Sequence, residues 1–138
     1  MVKHLLAIDD VEDDFEMILK WAIEFKRLWK QGDDVAINFM PLDTLAVGSI
    51  YEKPSTRTRV SFEVGINRLG GYPLTLLKND IQLGKSETVG DTSQVLSRFL
   101  GAMTYRCFSH SDVAELAKYA DVPAVSYTHL TLPTILPV

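Results

Sequence analysis

The chain lacks the features that mark several large classes of protein. It has a single cysteine among 138 residues, so no disulfide can form within it, and this scarcity is typical of a reducing compartment. No apolar run approaches the roughly 20 residues that a membrane-spanning helix needs. The apolar stretch at residues 1–8 is too short for a signal peptide. We therefore expect a soluble, cytoplasmic protein with no membrane partner.

Positive charge is not in excess either. The formal net charge is −4, from 14 basic and 18 acidic residues, whereas general nucleic-acid binders are usually basic. This balance disfavours a broad polyanion-binding surface and predicts no nucleic-acid partner, although a few local arginines are enough to bind a small anion. The hydrophobic content of 46% is ordinary for a globular protein, and the length suits one domain.

Apolar periodicity predicts helices that alternate with strands. Helices are predicted at residues 9–31, 58–69, 91–100 and 109–119, and strands at residues 44–51, 72–77, 102–108 and 122–125. Such alternation favours right-handed βαβ crossovers. We predict an α/β fold, a three-layer sandwich whose mostly parallel sheet of about four strands is incomplete.

Acidic residues crowd the start of the first predicted helix (Asp9, Asp10, Glu12, Asp13 and Asp14). A metal site and a solvated first turn are the two alternatives. Carboxylates at a helix N-terminus complement its dipole, which favours the solvated turn. The chain has no recognisable metal-ligand spacing, and we predict neither a metal nor an organic cofactor.

The segment at residues 51–59 joins a strand of buried type to an apolar helix. Ligands of open parallel sheets bind at the carboxyl ends of strands, and a helix start offers unpaired N–H groups at the positive end of its dipole. Hydroxyl groups and guanidinium groups that suit phosphate follow here, on Ser55, Thr56, Thr58, Arg57 and Arg59. The string alone favours a helix cap followed by solvated arginines, or a phosphorylation site, but its flanking elements raise the support for an anion site.

Three motifs in this order resemble one family. Residues 51–63, Tyr-Glu-Lys-Pro-Ser-Thr-Arg-Thr-Arg-Val-Ser-Phe-Glu, resemble the signature of the aspartate/ornithine carbamoyltransferases. Residues 79–87, Asn-Asp-Ile-Gln-Leu-Gly-Lys-Ser-Glu, resemble the second loop of that family in its ornithine-type form, and residues 105–110, Tyr-Arg-Cys-Phe-Ser-His, extend the likeness. The resemblance implies a transferase of the ornithine type, with residues 1–124 as its carbamoyl-phosphate-binding domain.

The resemblance also implies roles for individual residues. The phosphate of carbamoyl phosphate is expected on Ser55, Thr56, Arg57 and Thr58, while Arg106 polarises the carbonyl oxygen; Arg57 and Arg106 are the expected catalytic residues. Gln82 lies on a loop that, in the family, contributes to the active site of the adjacent subunit of a homotrimer. The implied reaction is attack of the δ-amine of ornithine on carbamoyl phosphate, giving citrulline and phosphate in arginine metabolism. Without the likeness, Arg106 would be interpreted as a surface arginine, and Gln82 carries no signal of its own.

The likeness ends after about Pro123. The family continues into a His-Pro-x-Gln motif and a second domain that binds ornithine, and neither is recognisable here. Residues 125–138 contain no charged residue, and we predict that they are a divergent, foreign tail. Because ornithine is reached only through the missing domain, we expect the isolated chain to form no citrulline.

Three alternatives stay open. The first is a fragment of an aspartate or other carbamoyltransferase. The second is a non-catalytic phosphate-binding module, and the third is an interaction protein in which residues 55–59 merely begin a helix. The Ile-Gln-Leu-Gly string at residues 81–84 favours the ornithine type over the first of these.

Overall fold

The computed structural model describes residues 2–83 and 86–127, which form an open parallel sheet with helices. The strands are β1 (Ala46–Tyr51), β2 (Tyr72–Leu77), β3 (Ala102–Arg106) and β4 (Ala124–Ser126). They lie in the order β2-β1-β3-β4, and every neighbouring pair is parallel. The predicted α/β fold with a parallel sheet of four strands is confirmed.

The described ranges contain the helices α1 (Phe15–Gln31), α2 (Asp34–Ile37), α3 (Thr56–Arg68), α4 (Val89–Ser97) and α5 (His110–Tyr119). The chain passes from β1 to β2 in one direction across the sheet and from β2 to β3 and β4 in the other. Because βαβ crossovers are right-handed, α3 covers one face, while α4 and α5 cover the opposite face and pack against each other. None of these helices is both long and apolar enough to cross a lipid bilayer.

The hydrophobic core lies between the sheet and its α4–α5 layer. Its central side chains are Ile50 from β1, Met103 from β3, and Val113 and Leu116 from α5, all of which are fully buried. Cys107 packs in the same cluster. Burial of this apolar area, worth roughly 25 cal/mol per Å², stabilises the central strands. Charged side chains lie at and beyond the carboxyl ends of those strands.

The acidic segment before α1 is not part of a continuous α-helix. Ile8–Asp14 form a 3₁₀ segment with one non-helical residue. The carboxylate of Asp10 accepts hydrogen bonds from the N–H groups of Leu6 at 2.6 Å and Ala7 at 2.9 Å, so it closes a turn. The predicted single helix over residues 9–31 was wrong at its start. Within the described part of the chain, no group of three metal-ligating side chains lies together.

Other predicted boundaries shift by a few residues. Thr44 adopts a left-handed conformation (φ 67°), which a strand cannot continue, so β1 begins two residues later than predicted. The helix after the loop begins at Thr56 instead of residue 58, and β4 spans Ala124–Ser126 instead of residues 122–125. The short helix α2 was not predicted; the Asp33 carboxylate caps it.

Helix α1 packs loosely on the rest of the described chain. None of its residues is buried, and Trp21 is 61% exposed. Its contacts lie in its second half, where the rings of Phe25 and Phe39 are 4.9 Å apart and the Arg68 guanidinium lies 4.9 Å from the centroid of the Trp29 ring. The apolar stripe predicted from the sequence is thus only partly covered.

Candidate functional site

The carboxyl ends of three neighbouring strands lie level with one another. Tyr51 of β1 pairs with Leu77 of β2 on one side and with Arg106 of β3 on the other. A cavity of about 640 Å³ opens beside this edge, lined by residues 51–56 and 77–79 and by part of α3. The side chains that follow these strands therefore converge on one place, as expected for an open parallel sheet.

The start of α3 is available to a ligand. Ser55 is extended (φ −156°, ψ 112°), and no side chain in the described part of the chain caps the helix there. The first turn contains no acidic residue. Its N–H groups and the positive end of the helix dipole are therefore not neutralised by a side-chain acceptor, which is the arrangement of an anion site.

Arg106, the last residue of β3, reaches across to this helix start. Its Nη1 donates hydrogen bonds to Ser55 Oγ at 2.6 Å and to Thr58 Oγ1 at 2.9 Å. The Ser55 hydroxyl thus accepts a bond from the guanidinium instead of capping α3. Arg106 thus lies within hydrogen-bonding distance of two residues of one helix turn, 51 and 48 positions earlier in the sequence, with which it was predicted to share a ligand.

The remaining predicted residues lie differently. Thr56 and Arg57 are exposed on the first turn of α3, beside the Ser55–Arg106 contact. Gln82 is exposed on the loop after β2, where its Oε1 accepts a hydrogen bond from the Ser86 hydroxyl at 3.4 Å. Of the predicted site residues, Ser55 and Thr56 are among the described residues that line the cavity, whereas Arg57, Thr58, Gln82 and Arg106 are not.

Arg59 and Lys53 flank the helix start and are held by other groups. The Arg59 Nε donates to Glu63 at 3.0 Å, and Glu63 also accepts a short hydrogen bond from the Thr75 hydroxyl. These two hydrogen bonds lower the pKa of Glu63. The Lys53 ammonium lies 4.7 Å from the centroid of the Phe108 ring, a cation–π distance. Both residues thus have partners that hold them to the sides of the site.

Glu52, which sequence reasoning did not single out, is the most buried charged side chain at this edge. Its Oε1 accepts a hydrogen bond from Lys78 Nζ at 2.7 Å, and its Oε2 accepts one from the Phe108 N–H at 2.8 Å. Burial alone would raise the pKa of Glu52, but the bonds from Lys78 and Phe108 outweigh it and lower that pKa. Only its place inside the loop motif could have drawn attention to it.

Acid should weaken the fold partly through Glu52. Because its pKa in the folded state lies below the ordinary 4.5, its contribution to stability is present above pH 4.5 and is lost as the pH falls through the lowered value. We therefore expect Glu52→Gln to flatten the decrease in the free energy of unfolding between about pH 6 and pH 3, measured by urea unfolding. Glu24→Gln is the control, because the Glu24–Arg27 pair is about half exposed and screened by solvent. An equal flattening in both variants would contradict this assignment.

Comparison with known proteins agrees with the geometry. The sequence profile of the aspartate/ornithine carbamoyltransferase carbamoyl-phosphate-binding domain matches residues 3–131. The ornithine carbamoyltransferase of Picrophilus torridus is 42% identical over 126 residues, which cover 91% of this chain and 39% of that protein. The chain thus spans about two fifths of the length of this curated relative.

Solved structures show the same relationship. The ornithine carbamoyltransferase of Pyrococcus furiosus superposes with a TM-score of 0.82 at 42% identity, covering 90% of this chain and 39% of that one. The catalytic subunit of M. jannaschii aspartate transcarbamoylase superposes with a TM-score of 0.76 at 27% identity, covering 91% of this chain and 40% of that one. Since the profile and these structures cover nearly all of its length, the chain belongs to the aspartate/ornithine carbamoyltransferase family and matches its carbamoyl-phosphate-binding domain.

Proposed function

We propose that this chain is the carbamoyl-phosphate-binding half of an ornithine carbamoyltransferase. The observation that carries the proposal is the pair of hydrogen bonds from Arg106 Nη1 to Ser55 Oγ at 2.6 Å and Thr58 Oγ1 at 2.9 Å. They lie at a helix start whose first turn has no acidic residue. Guanidinium and backbone N–H donors together suit an anion with several oxygens, and family membership points to carbamoyl phosphate as that anion.

The phosphate group is proposed to sit on the first turn of α3. Ser55, Thr56 and Thr58 supply hydroxyl and backbone donors there. Arg57 is exposed on the same turn, from which its guanidinium can neutralise the charge of the departing phosphate. Arg106 approaches from β3 and polarises the carbonyl oxygen, so Arg57 and Arg106 are the proposed catalytic residues.

The proposed reaction is a direct acyl transfer. The neutral δ-amine of ornithine attacks the carbonyl carbon, a C–N bond forms, and the oxygen of the tetrahedral intermediate becomes an anion that Arg106 stabilises. The C–O bond to phosphate then breaks. The proton lost by the amine is taken up by the departing phosphate. The products are citrulline and inorganic phosphate, and the transfer requires no redox step or cofactor.

Ornithine is favoured over aspartate as the acceptor. The Ile-Gln-Leu-Gly string at residues 81–84 and the 42% identity to the ornithine enzymes of Picrophilus torridus and Pyrococcus furiosus support this choice. The amine itself is proposed to bind outside the 39% of the Picrophilus torridus protein that these 138 residues match. We therefore expect the isolated chain to bind carbamoyl phosphate without forming citrulline.

The oligomeric state and the cellular location remain predictions that rest on the family resemblance. A homotrimer in which Gln82 completes the adjacent site is proposed from the family resemblance; Gln82 is exposed on the loop after β2, as that role requires. The boundary between residues 1–124 and a foreign tail at 125–138 also remains a prediction; β4 extends to Ser126, and residues 128–138 lie outside the described residues. A cytoplasmic location and a role in arginine metabolism are proposed with it.

Calorimetric titration with fresh carbamoyl phosphate and with inorganic phosphate tests the proposal. A site that contacts both the phosphate and the carbonyl oxygen should bind carbamoyl phosphate at least about tenfold more tightly, since one good hydrogen bond to a charged group is equivalent to about that ratio. Equal affinities would favour a generic phosphate-binding module. Binding of neither compound by a sample with a cooperative thermal transition would favour an interaction protein.

A further inference from the structure

Glu52 links three strands at the edge where the site lies. It directly follows β1; its side chain is 3% exposed. One carboxylate oxygen is bonded to Lys78, the first residue after β2, and the other to the N–H of Phe108, two residues after β3. A carboxylate this buried is costly unless it is paired and hydrogen-bonded, and here both oxygens are satisfied.

Two bonds join Glu52 to the end of β3, at the Arg106 carbonyl and at the Phe108 N–H. The backbone N–H of Glu52 donates to the Arg106 carbonyl at 3.0 Å, and the Glu52 carboxylate accepts from the Phe108 N–H at 2.8 Å. Between these two bonds the backbone has little freedom to rotate. Glu52, which follows the neighbouring strand β1, therefore restrains the backbone immediately after the Arg106 side chain.

Lys78 holds the carboxylate in this position. Its ammonium is 2.7 Å from Glu52 Oε1, and its backbone N–H donates to the Tyr51 carbonyl at 3.1 Å. The ammonium also lies 6.0 Å from the centroid of the Phe108 ring, so Lys78, Glu52 and Phe108 form one contiguous group. The charge of Lys78 offsets that of Glu52, which keeps a free carboxylate from repelling a bound anion.

We propose that Glu52 is a positioning residue, which together with Lys78 fixes the end of β3 so that the Arg106 guanidinium stays over Ser55 and Thr58. Glu52 does not touch the substrate in this arrangement; it acts through Arg106. The inference rests on the proposed function, because it assumes that Arg106 contacts carbamoyl phosphate.

The test is a double-mutant cycle with calorimetric titration of carbamoyl phosphate. Glu52→Gln should raise the Kd about tenfold, because a neutral amide loses one charge-assisted hydrogen bond. In an Arg106→Ala background the same substitution should change the Kd less than about twofold, since coupled residues are not additive. The Phe108 amide should also exchange faster with solvent in Glu52→Gln.

Two further variants keep the test decisive. Glu24→Gln, in the solvent-screened pair on α1, is expected to leave the Kd unchanged. Lys78→Met removes the partner while keeping the carboxylate. Because it leaves the buried charge of Glu52, 3% exposed, without its cation, it should be less stable than Glu52→Gln, and each Kd is measured on a variant with a cooperative thermal transition. It should raise the Kd about threefold when Arg106 is present, and by less in the Arg106→Ala background, where only repulsion by the carboxylate acts.

The outcomes separate this inference from the function on which it rests. A wild-type chain that fails to bind carbamoyl phosphate would overturn both. Binding that depends on Arg106 but is the same in Glu52→Gln and Lys78→Met as in the wild type would overturn the positioning role alone. An equal loss of affinity in both Arg106 backgrounds would show that Glu52 acts on the fold in general, which also overturns it.

Discussion

Replacing Arg106 with alanine is expected to weaken carbamoyl phosphate binding by about 100-fold. The side chain lies within hydrogen-bonding distance of two hydroxyls of the helix start, at 2.6 and 2.9 Å, so its guanidinium is already placed at the proposed ligand. Loss of two charge-assisted hydrogen bonds from the guanidinium to the proposed ligand would cost roughly 3 kcal/mol or more, and each 1.4 kcal/mol corresponds to about a tenfold change in Kd. Calorimetric titration of the purified variant measures this directly.

A conservative substitution at Arg106 and a substitution far from the site serve as controls for Arg106→Ala. Arg106→Lys keeps the charge but loses the planar fork that suits an anion with several oxygens, so it should lose about tenfold in affinity. Arg27→Ala, in the exposed ion pair of α1 with Glu24, should bind like the wild type. If Arg106→Ala bound within threefold of the wild type while remaining folded, the proposed site would be wrong.

Leu116→Ala is expected to lower the free energy of unfolding by about 3 kcal/mol. Leu116 is fully buried in the core cluster, and its carbonyl accepts a hydrogen bond at 2.7 Å from Ser93 of α4. Truncation leaves a cavity between α5 and the sheet that close packing cannot fill. The midpoint of thermal unfolding, followed by circular dichroism, should fall by about 10 °C.

Leu19→Ala is the matched control for the core prediction. Leu19 lies on α1 and is 50% exposed, so the same chemical change should alter the free energy of unfolding by only about 0.5 kcal/mol. Similar decreases in the free energy of unfolding in the two leucine variants would contradict the placement of Leu116 in the core.

Much of the fold was predictable because its signals are local. The apolar runs of β2 and β3 and the polar, hydroxyl-rich start of α3 follow one another in sequence, and Gly32 ends α1 in a left-handed conformation (φ 71°) as expected of a helix stop. Ordered alternation of such elements limits the topologies to a few. The misplaced start of α1 has an equally local cause, the closure of a turn by the Asp10 carboxylate, which competes with helix formation.

The candidate site was only partly predictable. The residues at positions 55–58 form one turn and carry their own signal as a helix start rich in donors. Arg106 is remote from them in sequence, and without the family motifs nothing in its neighbourhood distinguishes it from a surface arginine. Glu52 and Lys78 were missed because a buried ion pair between two strand ends has no pattern in sequence.

By itself, the sequence determined the elements of this protein and the donor-rich turn at residues 55–58, since both depend on residues that are neighbours along the chain. It also determined the family, through motifs in a fixed order. Only the tertiary structure decided which side chains meet at that turn. The parallel register that levels Tyr51, Leu77 and Arg106 places Arg106 over Ser55 and lets Glu52 bond to the chain just after it. Hydrogen bonds between strands, and not proximity in sequence, set those distances.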